Sequence, residues 1–178
     1  MPSNIEIKAR LADPARQYAL AKQLADGPAE VLHQTDTFFK CPHGRLKLRV
    51  FPSPPAELIF YRRPDQPGPK HSEYQILPIP APEETRTFLA AALGEVRTVQ
   101  KVRTLYMKGQ TRIHLDEVQG LGSFLELEVV LHAEQSLEEG QTIAEELLKA
   151  LEISPDALIS GAYADLLGTQ AAATTVTV

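Results

Sequence analysis

The sequence predicts an α+β protein: an eight-stranded antiparallel closed β-barrel with a charged interior, flanked by helices. Three observations lead there. Eight short segments bounded by Pro/Gly turns read as strands, with a few helical stretches between and after them. In most of these segments, alternate residues place long charged side chains on one face and aliphatic ones on the other. The charges are also sorted by strand, some segments purely basic and one purely acidic. On any single strand, such alternation is what a half-buried sheet with a solvated face shows. Sorting of both signs over many strands is what a barrel around a polar cavity requires.

The strand segments run near 4–10, 32–40, 44–51, 57–63, 71–79, 97–108, 110–118 and 123–132. In the first, Asn4, Glu6 and Lys8 oppose Ile5, Ile7 and Ala9. The third sets Arg45, Lys47 and Arg49 against Leu46, Leu48 and Val50. In the sixth, Lys101 and Arg103 oppose Val102; in the seventh, Arg112, His114 and Asp116 oppose Ile113 and Leu115. In the eighth, Glu126 and Glu128 oppose Leu125, Leu127, Val129 and Leu131. Helices are expected over Asp13–Ala25, with an Asp cap and Pro14 at the first turn, and over Pro82–Leu93, closed by Gly94. Two more are expected over Leu137–Leu151, capped by Ser136, and from Ser154-Pro155 to Leu167-Gly168. These elements make one domain over 1–168, and the low-complexity end 169–178 reads as a disordered tail.

The net charge is −5 and no basic run occurs, so nucleic acid is a poor expected partner. No apolar stretch approaches a membrane span, and the charged N-terminus does not read as a signal peptide, so a cytoplasmic protein is expected. One cysteine, Cys41 in a turn-like C-P-H-G, excludes a disulfide framework and a multi-cysteine zinc site. The five histidines are scattered without metal-ligand spacing; His114 alone sits on a charged face. A polyphosphate needs many Lys and Arg donors, which the basic strands supply. Mg²⁺ or Mn²⁺ needs carboxylate oxygens, which Glu126 and Glu128, two apart on one strand, present in the same direction.

The ordered motifs resemble the CYTH superfamily, the triphosphate tunnel metalloenzymes. N-I-E-I-K (4–8) resembles its E-x-E-x-K signature, and Q-T-D-T-F-F (34–39) its second strand. G-R-L-K-L-R (44–49) resembles its basic R-x-R strand, and L-I-F-Y-R-R-P (58–64) a strand carrying one inward base, placed at Arg62. S-E-Y-Q (72–75) resembles an acidic E-x-E strand, and K-V-R (101–103) a K-x-R strand. The block from Arg112 to Glu128 and A-Y-A-D-L-L (162–167) resemble the metal-binding strands and the C-terminal helix.

The resemblance implies an eight-stranded tunnel and a Mg²⁺- or Mn²⁺-dependent enzyme. Glu6, Glu126 and Glu128 would hold the metal, with Asp116 joining them or orienting the bases. Lys8, Lys47, Arg49, Arg62, Lys101, Arg103 and Arg112 would hold a triphosphate. Glu6, Lys8 and Glu128 would carry the catalysis, with Asn4, Glu73 and Gln75 in support. Asn4 and Gln75 stand where the family pattern has carboxylates. Three activities follow as expectations: hydrolysis of tripolyphosphate, ATP or thiamine triphosphate; class IV adenylate cyclase chemistry, giving cyclic AMP and pyrophosphate; or triphosphate or organophosphate binding without turnover. For a nucleoside, Tyr61, Phe38, Phe39 and Tyr106 are the stacking candidates. The protein is expected to be a monomer or a homodimer.

Overall fold

The computed structural model describes residues 2–175. The order is β1 (Ser3–Arg10), α1 (Pro14–Leu24), β2 (Glu30–Phe39), β3 (Arg45–Val50), β4 (Ala56–Arg62), β5 (Lys70–Ile79), α2 (Pro82–Leu93), β6 (Glu95–Lys108), β7 (Thr111–Val118), β8 (Gly122–Val130), α3 (Leu137–Ala150) and α4 (Tyr163–Thr175). The strands form a closed barrel in the order β1-β5-β4-β3-β2-β6-β7-β8, every pair antiparallel. Closure leaves no sheet edge, so each strand can be polar on one face without offering a pairing template. No helix among the described residues is long and apolar enough to cross a membrane.

The apolar core lies outside the barrel wall. Ile5, Ile7, Ala9, Ile113, Leu115, Leu125, Leu127 and Val129 point outward from β1, β7 and β8 and pack with Ala21 of α1 and with Ala144, Leu147 and Leu151. Each large aliphatic buried this way contributes about 1.5–3 kcal/mol, so the outer faces of these strands anchor the fold. Gly140 lets α3 approach β1: a Cβ there would lie 2.6 Å from Leu131 Cδ2 and 2.8 Å from Ile5 Cγ1. The caps follow the sequence. Asp13 accepts from the Arg16 N–H, and Ser136 and Glu139 form a reciprocal capping box.

One helix differs from expectation. Ser154-Pro155 starts only a single 3₁₀ turn over Pro155–Ala157, and α4 begins afresh at Tyr163. The backbone between them is claimed by β1: the Ile159 N–H donates to the Lys8 carbonyl at 2.9 Å, and Leu158 bridges to Ala9. A helix through this stretch would forfeit those bonds. Gly168 does not stop α4, which runs through part of the stretch expected as a tail to Thr175; 176–178 lie outside the described residues. At the α4 end of the barrel, inward-facing Phe38, Val99, Val118 and Phe124 pack with Tyr163 and Ala164, so the start of α4 seats on that end.

Candidate functional site

The inner faces of the strands enclose a cavity of about 310 Å³. Seven Lys and Arg side chains line it against five Asp and Glu, so the interior is basic in a chain of charge −5. Of the residues expected from the sequence, Asn4, Glu6, Lys8, Lys47, Arg49, Lys101, Arg103, Arg112, Glu126 and Glu128 all face it. They come from β1, β3, β6, β7 and β8, the strands whose charged and aliphatic faces alternate cleanly.

Two buried aspartates organise the bases. Asp36 on β2 accepts from Lys47 Nζ at 2.8 Å and from Arg49 Nε and Nη2, each at 2.8 Å. Asp116 on β7 accepts from Arg103 Nε and Nη2, both at 2.7 Å, and from the Tyr163 hydroxyl at 2.9 Å, with Lys101 Nζ at 3.4 Å. Burial opposes ionisation of both aspartates. Arg49 and Lys47 around Asp36, and Arg103 and Lys101 around Asp116, more than offset it and hold both carboxyls below the usual range. Asp116, expected to join the metal ligands or to orient the bases, is occupied by these donors. Burial and neighbouring Arg103 push the Lys101 ammonium down to about 7.

The acidic wall is built by β1, β7 and β8. Across the β1–β8 ladder Glu6 faces Glu128 and Lys8 faces Glu126; across β7–β8 His114 faces Glu126. Lys8 Nζ lies 2.7 Å from Glu126 Oε2, and Arg112 Nε donates to Glu128 at 2.8 Å. Burial disfavours the Glu126 carboxylate, but Lys8 and Arg103 hold it well below the usual range. Burial and then Glu126 push Glu6 the other way, up. The divalent cation expected from the sequence fits this wall. Ligand atoms of His114, Glu126 and Glu128 lie within 4.8 Å of one another. Asn4 Oδ1 and His114 Nδ1 are buried there without a hydrogen-bond partner among the described residues. Polar atoms left without a close partner beside carboxylates are what a cation site leaves open.

Three expected residues lie elsewhere. Arg62 points out of the barrel and pairs with Glu73 at 3.3 Å on the outer face, and Gln75 is exposed on the same face. The inward residues beside them are Tyr61 and, just past β4, Arg63, with Ser72 and Tyr74 on β5; Glu57, Ile59 and Ile76 also face the cavity. Apolar residues fill both faces of Leu58-Ile59-Phe60-Tyr61, and two arginines follow, so alternation carries no sign of which one turns inward. On β5 polar residues occupy both faces, with the same result. Phe39 and Tyr106 likewise pack outside the barrel, leaving Tyr61 and Phe38 inside.

The structure adds residues that the sequence reading missed. Arg63 is buried with its Nε 3.4 Å from Glu6 Oε1, and its Nη2 donates to the Gly161 carbonyl at 2.9 Å. Neither Nε nor Nη1 has a hydrogen-bond partner among the described residues. Lys70, also buried, has its ammonium pushed down to about 8 by burial and by Arg63. Tyr163 brings its ring under Lys8 Nζ, 4.0 Å from the centroid, and 5.2 Å from Lys101 Nζ. Q-T-D-T-F-F puts polar and aromatic residues on both faces, so alternation does not show that Asp36 turns inward, and its partners sit on the next strand.

Comparison with known proteins agrees with this architecture. A Methanocaldococcus jannaschii protein, MJ0240, provisionally named an adenylate cyclase, is 26% identical over 92% of this chain and 98% of its own. PH1012 from Pyrococcus horikoshii superposes with a TM-score of 0.79 at 19% identity, covering 92% of this chain and 98% of that one. HpAC1 from Hippeastrum, described with a dominant triphosphatase activity, superposes with a TM-score of 0.61 at 20% identity, covering 84% and 88%. At these identities the two structures speak to the fold alone. The CYTH domain model matches residues 3–163, and by that match this chain belongs to the CYTH domain family.

Proposed function

We propose that the barrel is the active site of a divalent-cation-dependent hydrolase acting on a triphosphate, either inorganic tripolyphosphate or an organic one such as ATP or thiamine triphosphate. The observation that carries this reading is the pairing, inside one cavity, of a basic wall with a wall of three glutamates. Lys8, Lys47, Arg49, Lys101, Arg103 and Arg112, joined by Arg63 in place of Arg62, bind the phosphate oxygens. Asp36 and Asp116 pre-orient four of these bases, so little order is lost when the substrate arrives. Glu126 and Glu128, with Glu6, hold the cation, Mg²⁺ or Mn²⁺, which when bound neutralises charge on the phosphoryl oxygens. Glu6, whose carboxyl is pushed up by burial and by Glu126, orients the attacking water and takes its proton. Ser72 and Tyr74 stand in place of Glu73 and Gln75 as the supporting groups of β5.

The test is product analysis. Protein with Mg²⁺ or Mn²⁺ and tripolyphosphate or ATP is expected to release orthophosphate. Cyclic AMP with pyrophosphate would assign a cyclase instead, and tight binding without turnover a binding module. Glu126→Ala and Lys8→Ala should each abolish turnover. Undiminished cation and triphosphate binding in both variants would refute the lumen as the site.

A further inference from the structure

We infer that His114 is a nitrogen ligand of the divalent cation in the lumen and biases that site toward first-row transition ions over Mg²⁺. The inference rests on the proposed cation site and adds a ligand that the carboxylates alone do not imply.

His114 is 3% exposed, and its Nδ1 has no hydrogen-bond partner among the described residues. A buried, unpaired ring nitrogen is costly unless something binds it. Two carboxylate oxygens face it, Glu126 Oε1 at 3.7 Å and Glu128 Oε1 at 3.8 Å. An imidazolium serving as an ion-pair partner would close to about 2.7–2.9 Å. Lys8 does so on the same glutamate, at 2.7 Å. His114 instead stands back from both carboxylates, and ligand atoms of the three residues lie within 4.8 Å of one another, near enough for one ion to draw them together. The register holds it there: β7 pairs His114 with Glu126, and the same ladder carries Arg112 opposite Glu128.

The donor type has a consequence. Mg²⁺ prefers oxygen and surrenders its water reluctantly, whereas imidazole nitrogen favours later first-row ions. Relative to an all-oxygen set, two carboxylates with one imidazole therefore favour Co²⁺ over Mg²⁺ strongly and Mn²⁺ over Mg²⁺ more modestly.

The experiment is pulsed EPR on the intact protein carrying one equivalent of Mn²⁺. Nitrogen-14 coupling to the ion is expected, and ring-¹⁵N-histidine labelling should replace it. The remaining histidines, His33, His43, His71 and His132, do not line the cavity, so a histidine signal reports His114. His114→Gln should abolish the coupling and weaken Mn²⁺ binding at least about tenfold, the lower end of what even outer-shell losses cost metal sites. It should weaken Mg²⁺ binding less. Mn²⁺ bound in a Glu126-dependent manner without histidine coupling would overturn the inference, as would Mn²⁺ that does not bind at all. If His114→Gln fails to fold, the labelled wild-type spectrum decides alone. Turnover of tripolyphosphate without the coupling rejects His114 and leaves the proposed function standing. Coupling without turnover upholds His114 and rejects the hydrolase.

Discussion

The lumen has two halves built on different rules. Around β2, β3 and β6 the charges close on one another: Asp36 is taken up by Lys47 and Arg49, and Asp116, reaching in from β7, by Lys101, Arg103 and Tyr163. Around β1, β4 and the β7–β8 ladder ion pairs also form, Lys8 with Glu126 and Arg112 with Glu128, but several polar atoms stay unpaired. Arg63 Nε and Nη1, His114 Nδ1 and Asn4 Oδ1 have no hydrogen-bond partner among the described residues. Gln34 Oε1 on β2 is the one such atom in the closed half. The difference separates groups that hold the site in shape from groups that wait for something to bind. A buried charge with its counterions in place is tolerable without ligand; a buried donor or acceptor without a partner is stored cost that a ligand can relieve.

The largest test strikes the closed half. Asp116→Ala leaves Lys101 and Arg103 buried without their shared counterion, and breaking such a cluster costs about 3–5 kcal/mol. For a chain of this size the melting temperature should fall by roughly 6–20 °C. Glu128→Ala in the open half frees a partly exposed Arg112 to find water, and its melting temperature should fall by less than about 5 °C. Equal losses from the two substitutions would erase the distinction between the halves.

A second, smaller effect separates adjacent arginines. Arg63→Ala removes buried donors aimed into the cavity and should weaken tripolyphosphate binding about 10- to 100-fold by calorimetry. Arg62→Ala removes an exposed ion pair with Glu73 and should change it less than about twofold. The reverse order would restore Arg62 as the inward base.

The smallest effect is a pH dependence in the closed half. Burial and Arg103 lower Lys101 from 10.5 to about 7. Bound polyphosphate favours the ammonium, so its contribution to affinity is present below about 7 and declines above it, by at most about tenfold per pH unit. Lys101→Arg, charged throughout, should flatten the profile measured from pH 6.5 to 8.5. The same shift makes stability of the free protein rise with pH between about 7 and 10.5. Across that window the unfolded chain binds the proton that the folded one has released.

Local pattern alone determined a good deal about this protein. Period-2 alternation is a property of each strand by itself, so wherever one face is charged and the other aliphatic, as on β1, β3, β6, β7 and β8, the lumen side was readable. Ten of the expected site residues face the cavity for that reason. Cap residues fixed the starts of α1 and α3 in the same local way. Tertiary structure decided the rest. Which face of β4 and β5 turns inward depends on register with neighbouring strands, and their mixed patterns do not encode it; so Arg63, Ser72 and Tyr74 replace Arg62, Glu73 and Gln75. Which groups meet a buried acid depends on the neighbouring strands: Lys101 and Arg103 reach Asp116 from β6, and His114 lies across from Glu126 on β8. Spacing along one chain cannot supply that information, because a closed barrel brings its first strand against its eighth.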